Sequence, residues 1–379
     1  MRGIIRVIVL VVAPPSCEES ARARVNSICR AHEDLNPLVI GQQEAAHVTN
    51  AVGRMLPNVV GEAVALRGYG AIKNLGLAVA AIMGHDVVVF LDDDNVVLDQ
   101  DFLLNAVYGL GSLNRQGQHI SAKSGYFVDA SGSALPHPST AWSERYWSKA
   151  GEFTKVMERM LSATRFSRSN HMCGGCCALH AEAFARVPFD PYITRGEDLD
   201  YVFDLRAFGL DVWFDNAWSV RSQPPEETAS GPSLFMQDAY RWLYEYRKLE
   251  ALNARRDLRT ITRESLMPYP APWVFPEVRQ RVFKTAYRRM LTGPDRLAYL
   301  RILTRGRHEA ERYARTASAR YLSFAMAWSG IMASLWEDRY LRAAILKTGE
   351  VAPILQKVTP ADLSGGISAD ISGNLGGDL

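Results

Sequence analysis

Asp92, Asp93 and Asp94 stand in a row, followed by Asn95, directly after the apolar run Val87-Val88-Val89-Phe90-Leu91. Such a continuous run reads as a strand buried on both faces. In an open α/β sheet the ligand crevice lies beyond the carboxyl ends of the strands, so these acids stand where a ligand would be. Alternation along an extended chain lets Asp92 and Asp94 face one side while Asp93 faces the other. Two hard oxygen donors on one side suit Mg²⁺ or Mn²⁺, which keeps its remaining positions for water and substrate phosphate. The competing reading is a solvated acidic turn leading into the next helix, and the buried strand in front of the triplet weighs against it.

A second acidic constellation is Arg195-Gly196-Glu197-Asp198-Leu199-Asp200-Tyr201, at the entry to a helix whose Leu199, Val202, Phe203 and Leu205 can face a core. Acids in a first helical turn serve as caps and dipole partners. The functional alternative makes Asp198 a general base that takes a proton from a hydroxyl. Upstream, Cys173-Gly174-Gly175-Cys176-Cys177-Ala178-Leu179 puts two glycines where backbone must approach a ligand or another chain closely. With no second cysteine pair to complete a zinc site, although His171 and His180 flank the run, small buried thiols in a strand are the expectation. A fourth segment, Arg67-Gly68-Tyr69-Gly70-Ala71-Ile72-Lys73-Asn74-Leu75-Gly76, is a glycine-containing turn into a helix that can receive phosphate, with Lys73 to neutralise a diphosphate.

The elements that must position these residues follow from the pattern. Short β-rich runs at Ile4–Ala13, Pro37–Gly41, Ala63–Arg67 and Asp86–Leu91 alternate with helical stretches, the mark of a parallel α/β sheet. Ile72, Leu75, Val79 and Ile82 recur at threes and fours, predicting a helix over 70–83 that ends at the cap Gly84. Phe102–Leu113 reads as the next helix, with Asp99 and Asp101 at its start. Ile120–Val128 and Met172–Leu179 read as strands and Ser143–Leu161 as a helix. Helical patterns then fill Leu234–Arg256, Glu277–Leu291, Pro294–Thr304 and His308–Leu346. The expected division is an α/β domain over 1–232, a helical subdomain over 233–358 and a flexible Gly/Ser/Asp-rich tail over 359–379.

With 379 residues, 47% hydrophobic and 22% charged, the chain buries a substantial core and is not disordered in its body. Its net charge of +2 is unevenly spread: residues 233–357 hold 23 Lys/Arg against 12 Asp/Glu, and residues 1–232 hold 20 against 26. A basic half suits an anionic acceptor, a phosphate or a membrane surface, or is a solvated helical face. Five cysteines form no even framework, which fits a reducing, cytoplasmic setting. The opening Ile4–Val12 contains Arg6 and is too short to span a bilayer, so it reads as a first buried strand. The apolar run over 321–335 is also below spanning length and reads as a buried helix in preference to a membrane-lying one.

Taken in order, these segments resemble the GT-A fold of glycosyltransferase family 2, over roughly residues 4–216. Gly70-Ala71-Ile72-Lys73-Asn74-Leu75-Gly76 is similar to the family's Ala-Arg-Asn-x-Gly helix, Asp92-Asp93-Asp94 to its Asp-x-Asp, and Gly196-Glu197-Asp198-Leu199-Asp200 to its Gly-Glu-Asp-x-Asp helix. Gly174-Gly175-Cys176-Cys177-Ala178 through Glu182-Ala183-Phe184 resembles the strand and helix that precede that acidic loop. The resemblance implies a Rossmann-like, mostly parallel sheet flanked by helices, with a helical subdomain after it. It implies a UDP- or GDP-linked sugar as donor, Mg²⁺ or Mn²⁺ at Asp92 and Asp94, and transfer of a hexose-type sugar to an acceptor hydroxyl, with inversion as the expectation and retention, which would not use this base, as the alternative. Asp198, with Glu197 beside it, takes the catalytic position, and Pro14, Lys73, Asn74, Asp92, Asp93, Gly174 and Gly175 the donor contacts.

The sequence also departs from the family. The first loop, Ala13-Pro14-Pro15-Ser16-Cys17-Glu18-Glu19, lacks the Pro-x-x-Asn pattern, and Gly41-Gln42-Gln43-Glu44 lacks the Asp pair that contacts base and ribose. No histidine falls between Asp200 and His308 to complete the metal site, leaving Gln223 or a water for that position. Arg221 and the stretch Tyr240-Arg241-Trp242 to Tyr246-Arg247 are candidates for an acceptor pocket, against a reading as helix packing. No nucleic-acid partner is expected, and a peripheral membrane contact is. Two other classes compete: nucleotidyl transfer in sugar-nucleotide synthesis, which wants a glycine-rich basic loop where Ala13-Pro14-Pro15-Ser16 stands, and a non-catalytic sugar-nucleotide binder, which has no need of Asp92, Asp94 and Asp198 together.

Overall fold

The computed structural model describes residues 5–56, 60–114, 116–135, 142, 145–223 and 231–351. The tail expected over 359–379 lies outside them. In chain order the first elements are β1 (Ile8–Leu10), α1 (Glu18–Arg30), β2 (Leu38–Ile40), α2 (Gln42–Met55), α3 (Val60–Ala63), α4 (Tyr69–Met83), β3 (Val87–Phe90), β4 (Asn95–Val96), α5 (Phe102–Val107) and β5 (Ala122–Val128). There follow α6 (Ala150–Ser162), β6 (Phe166–Ser169), β7 (Cys177–His180), α7 (Ala181–Phe184), α8 (Glu197–Ala207) and β8 (Val212–Ser222). The remainder is helical: α9 (Gly231–Asn253), α10 (Ala271–Val274), α11 (Glu277–Thr292), α12 (Arg296–Arg301), α13 (Arg307–Leu335) and α14 (Arg339–Gly349). This is an α/β chain with a central sheet flanked by helices and a helical carboxyl-terminal region.

Two compact units divide the chain, residues 1–47 with 340–379 and residues 48–339. In the first, β1 and β2 pair in parallel as a two-stranded sheet, over a core of Val11, Cys29 and Val39. Arg22 grips the buried Glu44 through two hydrogen bonds of 2.7 and 2.8 Å and donates to the Thr348 carbonyl at 2.9 Å. These bonds more than offset the burial of Glu44 and hold its carboxyl down to about 2.

The second unit contains the six-stranded sheet, ordered β3-β7-β5-β8-β4 with β6 also on β8. Its one parallel pair is β5–β8; β3–β7, β5–β7, β4–β8 and β6–β8 run antiparallel. The sheet is therefore mixed where a mostly parallel one was expected. The long central strand β8 carried a signal in Val212-Trp213-Phe214 and Trp218-Ser219-Val220 that the pattern of the first half did not prepare for. The strand expected at Ala63–Arg67 is absent: α3 ends at Ala63, whose carbonyl accepts a hydrogen bond from the Asn74 amide at 3.0 Å instead of from a neighbouring strand.

Packing crosses residue 232, where the sequence places a domain boundary. Leu199, Phe203 and Ala207 of α8 share one core with Trp242, Trp273, Val282 and Tyr299 of the helical region, so α8 packs with α9–α13 rather than apart from them. The 321–335 run lies in α13, where Tyr321, Phe324, Trp328, Ile331 and Leu335 are buried and the Trp328 indole donates to the Phe184 carbonyl at 2.8 Å. It is a packing helix, and no helix among the described residues is long and apolar enough to cross a membrane. The helical pattern expected through Leu346 breaks after Leu335, where Glu337 adopts a φ of 53°.

α4 is buried along almost its whole length and closes at Gly84, which takes the left-handed conformation (φ 76°). At its other end, Gly70 touches the 189–191 loop so closely that an added Cβ would stand 2.1 Å from the Asp190 carbonyl oxygen. Gly70→Ala is expected to destabilise the protein by about 1–3 kcal/mol or more, because backbone must move to admit the methyl. Gly151→Ala on α6, where a Cβ meets nothing within 4 Å, is expected to be neutral or stabilising by up to about 1 kcal/mol. Chemical denaturation of both variants measures the contrast.

Candidate active site

The site belongs wholly to the second unit, and a lysine organises it. Lys73 projects from α4 with its side chain only 8% exposed. Its ammonium donates to the Gly174 carbonyl at 2.9 Å and lies 3.6 Å from Asp92 Oδ1 and 4.0 Å from Glu197 Oε1. The rings of Phe90 and Phe189 stand 4.8 and 5.8 Å away. Burial alone would lower the lysine's pKa; Glu197 and Asp92 reverse that and hold it above its ordinary value.

Asp92 follows β3, and the Asn95 N–H donates to its carbonyl at 3.1 Å, so the three acids occupy a turn. Strand alternation therefore does not orient them. Asp92 and Asp93 are exposed and Asp94 is half-buried. The pKa of Asp94 is raised, first by burial and then by the charges of Asp92 and Asp93. β4 pairs with β8, and the Gln223 N–H donates to the Asp94 carbonyl at 2.8 Å, which puts Gln223 beside the acidic turn.

Two glycines make the floor. A Cβ on Gly175 would lie 2.0 Å from Asn95 Nδ2 and 2.6 Å from Asp92 Oδ2, and one on Gly174 would lie 3.3 Å from Lys73 Nζ. Only a residue without a side chain lets the acidic turn close onto this loop. Asn95 Nδ2 donates to the Gly175 carbonyl at 3.1 Å, while Asn95 Oδ1 is buried with no hydrogen-bond partner. Asn95 thus locks the turn to the floor, a contact that local sequence did not signal.

α8 begins at Gly196 (φ 74°), against which the Arg241 guanidinium packs so closely that a Cβ would stand 2.0 Å from its Cζ. Asp198 Oδ2 accepts from the Gly174 N–H at 3.2 Å and Oδ1 from the Leu199 N–H at 2.7 Å, so its half-exposed carboxylate is fixed by two backbone donors. Glu197 is almost fully buried. Burial first, then the Asp198 carboxylate, push its pKa up to about 7 against the pull of Lys73. Asp200 is wholly buried: Lys248 of α9 reaches Asp200, Asp204 and Asp190 at 2.5, 2.8 and 2.9 Å. Tyr244 donates to Asp190 at 2.6 Å. Burial raises Asp200 and takes Asp204 to about 6, so this cluster anchors the helix and offers no carboxylate to a ligand.

Lys73, Asp92, Gly174, Gly175, Glu197 and Asp198 are thus brought together, with Asp93 and Asp94 in the adjoining turn. Three expected donor contacts are placed as follows. Asn74 is fully buried, with its amide donating to the Ala63 and Phe189 carbonyls at 3.0 and 2.9 Å and its oxygen accepting from the Phe189 N–H at 2.8 Å, so it staples loops and has nothing left for a donor. The Lys73 amine gives a hydrogen bond to the Gly174 carbonyl and lies between Asp92 and Glu197. Pro14 lies in the first unit, in the turn after β1, its carbonyl accepting from the Cys17 N–H at 2.9 Å.

Trp242, Tyr244 and Tyr246 are core residues, in line with the helix-packing reading of that stretch. Cys173, Cys176 and Cys177 are free, buried thiols; burial raises all three, Cys177 to about 12. No group of three or more His, Cys, Asp or Glu among the described residues could hold a metal ion. What the turn does fit is a cation that needs few protein ligands: the pKa of Asp94 is raised by burial and by the charges of Asp92 and Asp93, and Mg²⁺ or Mn²⁺ can complete its shell with water and a diphosphate.

The fold is of the α/β class and the site is a cluster of carboxylates where a buried lysine, a glycine floor and a helix amino terminus meet. No protein-family model matches the chain, and no curated protein matches it. Among solved structures it is similar to the mannosyltransferase PcManGT from Pyrobaculum calidifontis in complex with GDP-Man and Mn²⁺, at 16% identity and a TM-score of 0.43, over 85% of this chain and 77% of that one. It is also similar to GalNAc-T7 with UDP, GalNAc and Mn²⁺, at 13% identity and a TM-score of 0.38, over 76% of this chain and 52% of that one.

Because folded Glu197 keeps its proton up to about pH 7, above its ordinary value of 4.5, its contribution favours the folded state at low pH. That contribution is lost as pH rises from 4.5 through about 7 in the metal-free protein. Glu197→Gln is expected to flatten this part of the stability profile, read from thermal melts across the range. An unchanged slope would place the titrating proton elsewhere.

Proposed function

We propose that this chain is a metal-dependent glycosyltransferase of the GT-A type, which moves a hexose-type sugar from a nucleoside diphosphate to an acceptor hydroxyl with inversion. The observation that carries the reading is the pairing, on one glycine floor, of a turn of three consecutive acids with a separate, half-exposed carboxylate held by two backbone N–H groups. The first suits a cation and a diphosphate; the second suits a base. Asp92 and Asp94 would hold a divalent cation, which would supply charge neutralisation to a diphosphate.

In this reading the chain's own residues do the rest. Lys73 keeps Asp92 and Glu197 in register without touching the donor. Gly174 and Gly175 let the donor approach the backbone. Asp198 takes the proton of the acceptor hydroxyl as its oxygen forms the new bond to the anomeric carbon, and the bond to the diphosphate breaks on the opposite side. Glu197, buried beside Lys73, holds its neighbour's position instead of exchanging protons with substrate.

Release of nucleoside diphosphate from GDP-mannose and from UDP-linked sugars, with Mn²⁺ and with chelator, tests the proposal. Asp94→Ala is expected to abolish turnover and metal-dependent donor binding. Asp198→Asn is expected to bind donor normally and to lose turnover by about 10²–10⁴-fold, the usual worth of a general base. Near-normal turnover in Asp198→Asn would remove the base assignment, and pyrophosphate release from a nucleoside triphosphate would identify a nucleotidyltransferase instead.

A further inference from the structure

The helical region carries a surface that the chemistry above does not use. α11 buries Val278, Val282 and Ala286 and turns Phe283, Tyr287 and Leu291 outward, at 45%, 46% and 50% exposure. α12 buries Tyr299 and exposes Leu297 and Leu300, at 72% and 44%. Both helices sink their inner sides into the same core and pack against each other. The Phe283 and Tyr287 rings stack at 6.3 Å, and the Arg307 guanidinium at the start of α13 lies 5.9 Å from Phe283. At the edge, Arg288 covers the half-exposed Trp142 at 4.2 Å.

Positive charge predominates along this stretch. Between residues 277 and 312 there are ten Lys/Arg and four Asp/Glu. Two of the four acids are engaged: Glu277 by Arg263 at 2.5 Å and the buried Glu311 by Arg279 at 2.9 Å. Lys284, Arg296, Arg301 and Arg305 form no ion pair with a described carboxylate. Scattered exposed leucines are ordinary, but five exposed apolar side chains on two neighbouring helices, among cations without a described ion-pair partner, suit an interaction surface. Nucleic acid would use the cations and leave Leu297 and Leu300 in water, whereas the interface of an anionic bilayer accepts both.

We propose that the outer face of α11 and α12 docks on an anionic lipid bilayer. The apolar side chains enter the interfacial layer while Lys284, Arg296, Arg301 and Arg305 meet lipid phosphates. Because no helix among the described residues can span a membrane, this contact is peripheral.

Sedimentation of the full chain with phosphatidylcholine vesicles, with and without phosphatidylglycerol, is the test. The expected result is binding that requires phosphatidylglycerol, weakens with salt, and falls by at least about tenfold in Leu297→Ser/Leu300→Ser and in Arg301→Glu/Arg305→Glu. Both variants are expected to keep the wild-type melting temperature and donor turnover in solution, since none of these residues belongs to the acid cluster. Absence of wild-type binding to phosphatidylglycerol vesicles, or wild-type binding by either variant, would overturn the proposal. Binding of RNA lost only in the charge variant, without vesicle binding, would assign the surface to nucleic acid instead.

Discussion

A lysine ammonium withdrawn from water is the constraint around which the site is built. Desolvating that charge costs several kcal/mol unless partners replace the lost water, and Lys73 finds them on three separate segments: Asp92 after β3, the Gly174 carbonyl before β7, and Glu197 at the start of α8. Each partner must arrive at the same point. The glycines at 174 and 175 follow from this, since a side chain at either position would press on the lysine or on Asp92. So does the staple at Asn74, one residue along α4, which fixes the helix that carries the lysine.

A second lysine, Lys248, holds α8 further along its length. Glu197, Asp200 and Asp204 are spaced by three and four residues and therefore share a face of α8. That face is buried, with Glu197 near Lys73 and the two aspartates on Lys248. Asp198 stands about 100° round the helix from Glu197 and alone among these acids keeps partial exposure. Helical geometry thus sorts four neighbouring carboxylates into three that anchor and one that is free to do chemistry. Burying three aspartates on one lysine is expensive by itself, and the raised pKa values of Asp200 and Asp204 record that expense.

Much of this was legible in the sequence because the signals were local. The unbroken run Val87–Phe90 marked the strand that ends at the acids, and the three-and-four spacing from Ile72 to Ile82 marked the buried helix and its cap at Gly84. What local pattern could not reveal depended on partners far along the chain. Lys73 read as a free cation for phosphate because its neighbours at Gly174 and Glu197 lie more than 100 residues away. Asp200 read like its neighbours because Lys248 is 48 residues distant. The strand expected at Ala63–Arg67 had the right residues, but a side-chain amide took its backbone carbonyl. β8 was missed for the converse reason, since its place at the centre of the sheet is set by pairing with β4, β5 and β6.

The most direct measurement is an anomalous difference map, recorded at the manganese edge from a crystal grown with Mn²⁺ and GDP or UDP. The expected map has one peak in contact with the Asp94 and Asp92 carboxylates and the diphosphate, with the Lys73 amine still on the Gly174 carbonyl. Manganese bound elsewhere, or Lys73 swung onto the diphosphate with Asp92 released, would contradict the assignment of that lysine as the organiser of the site.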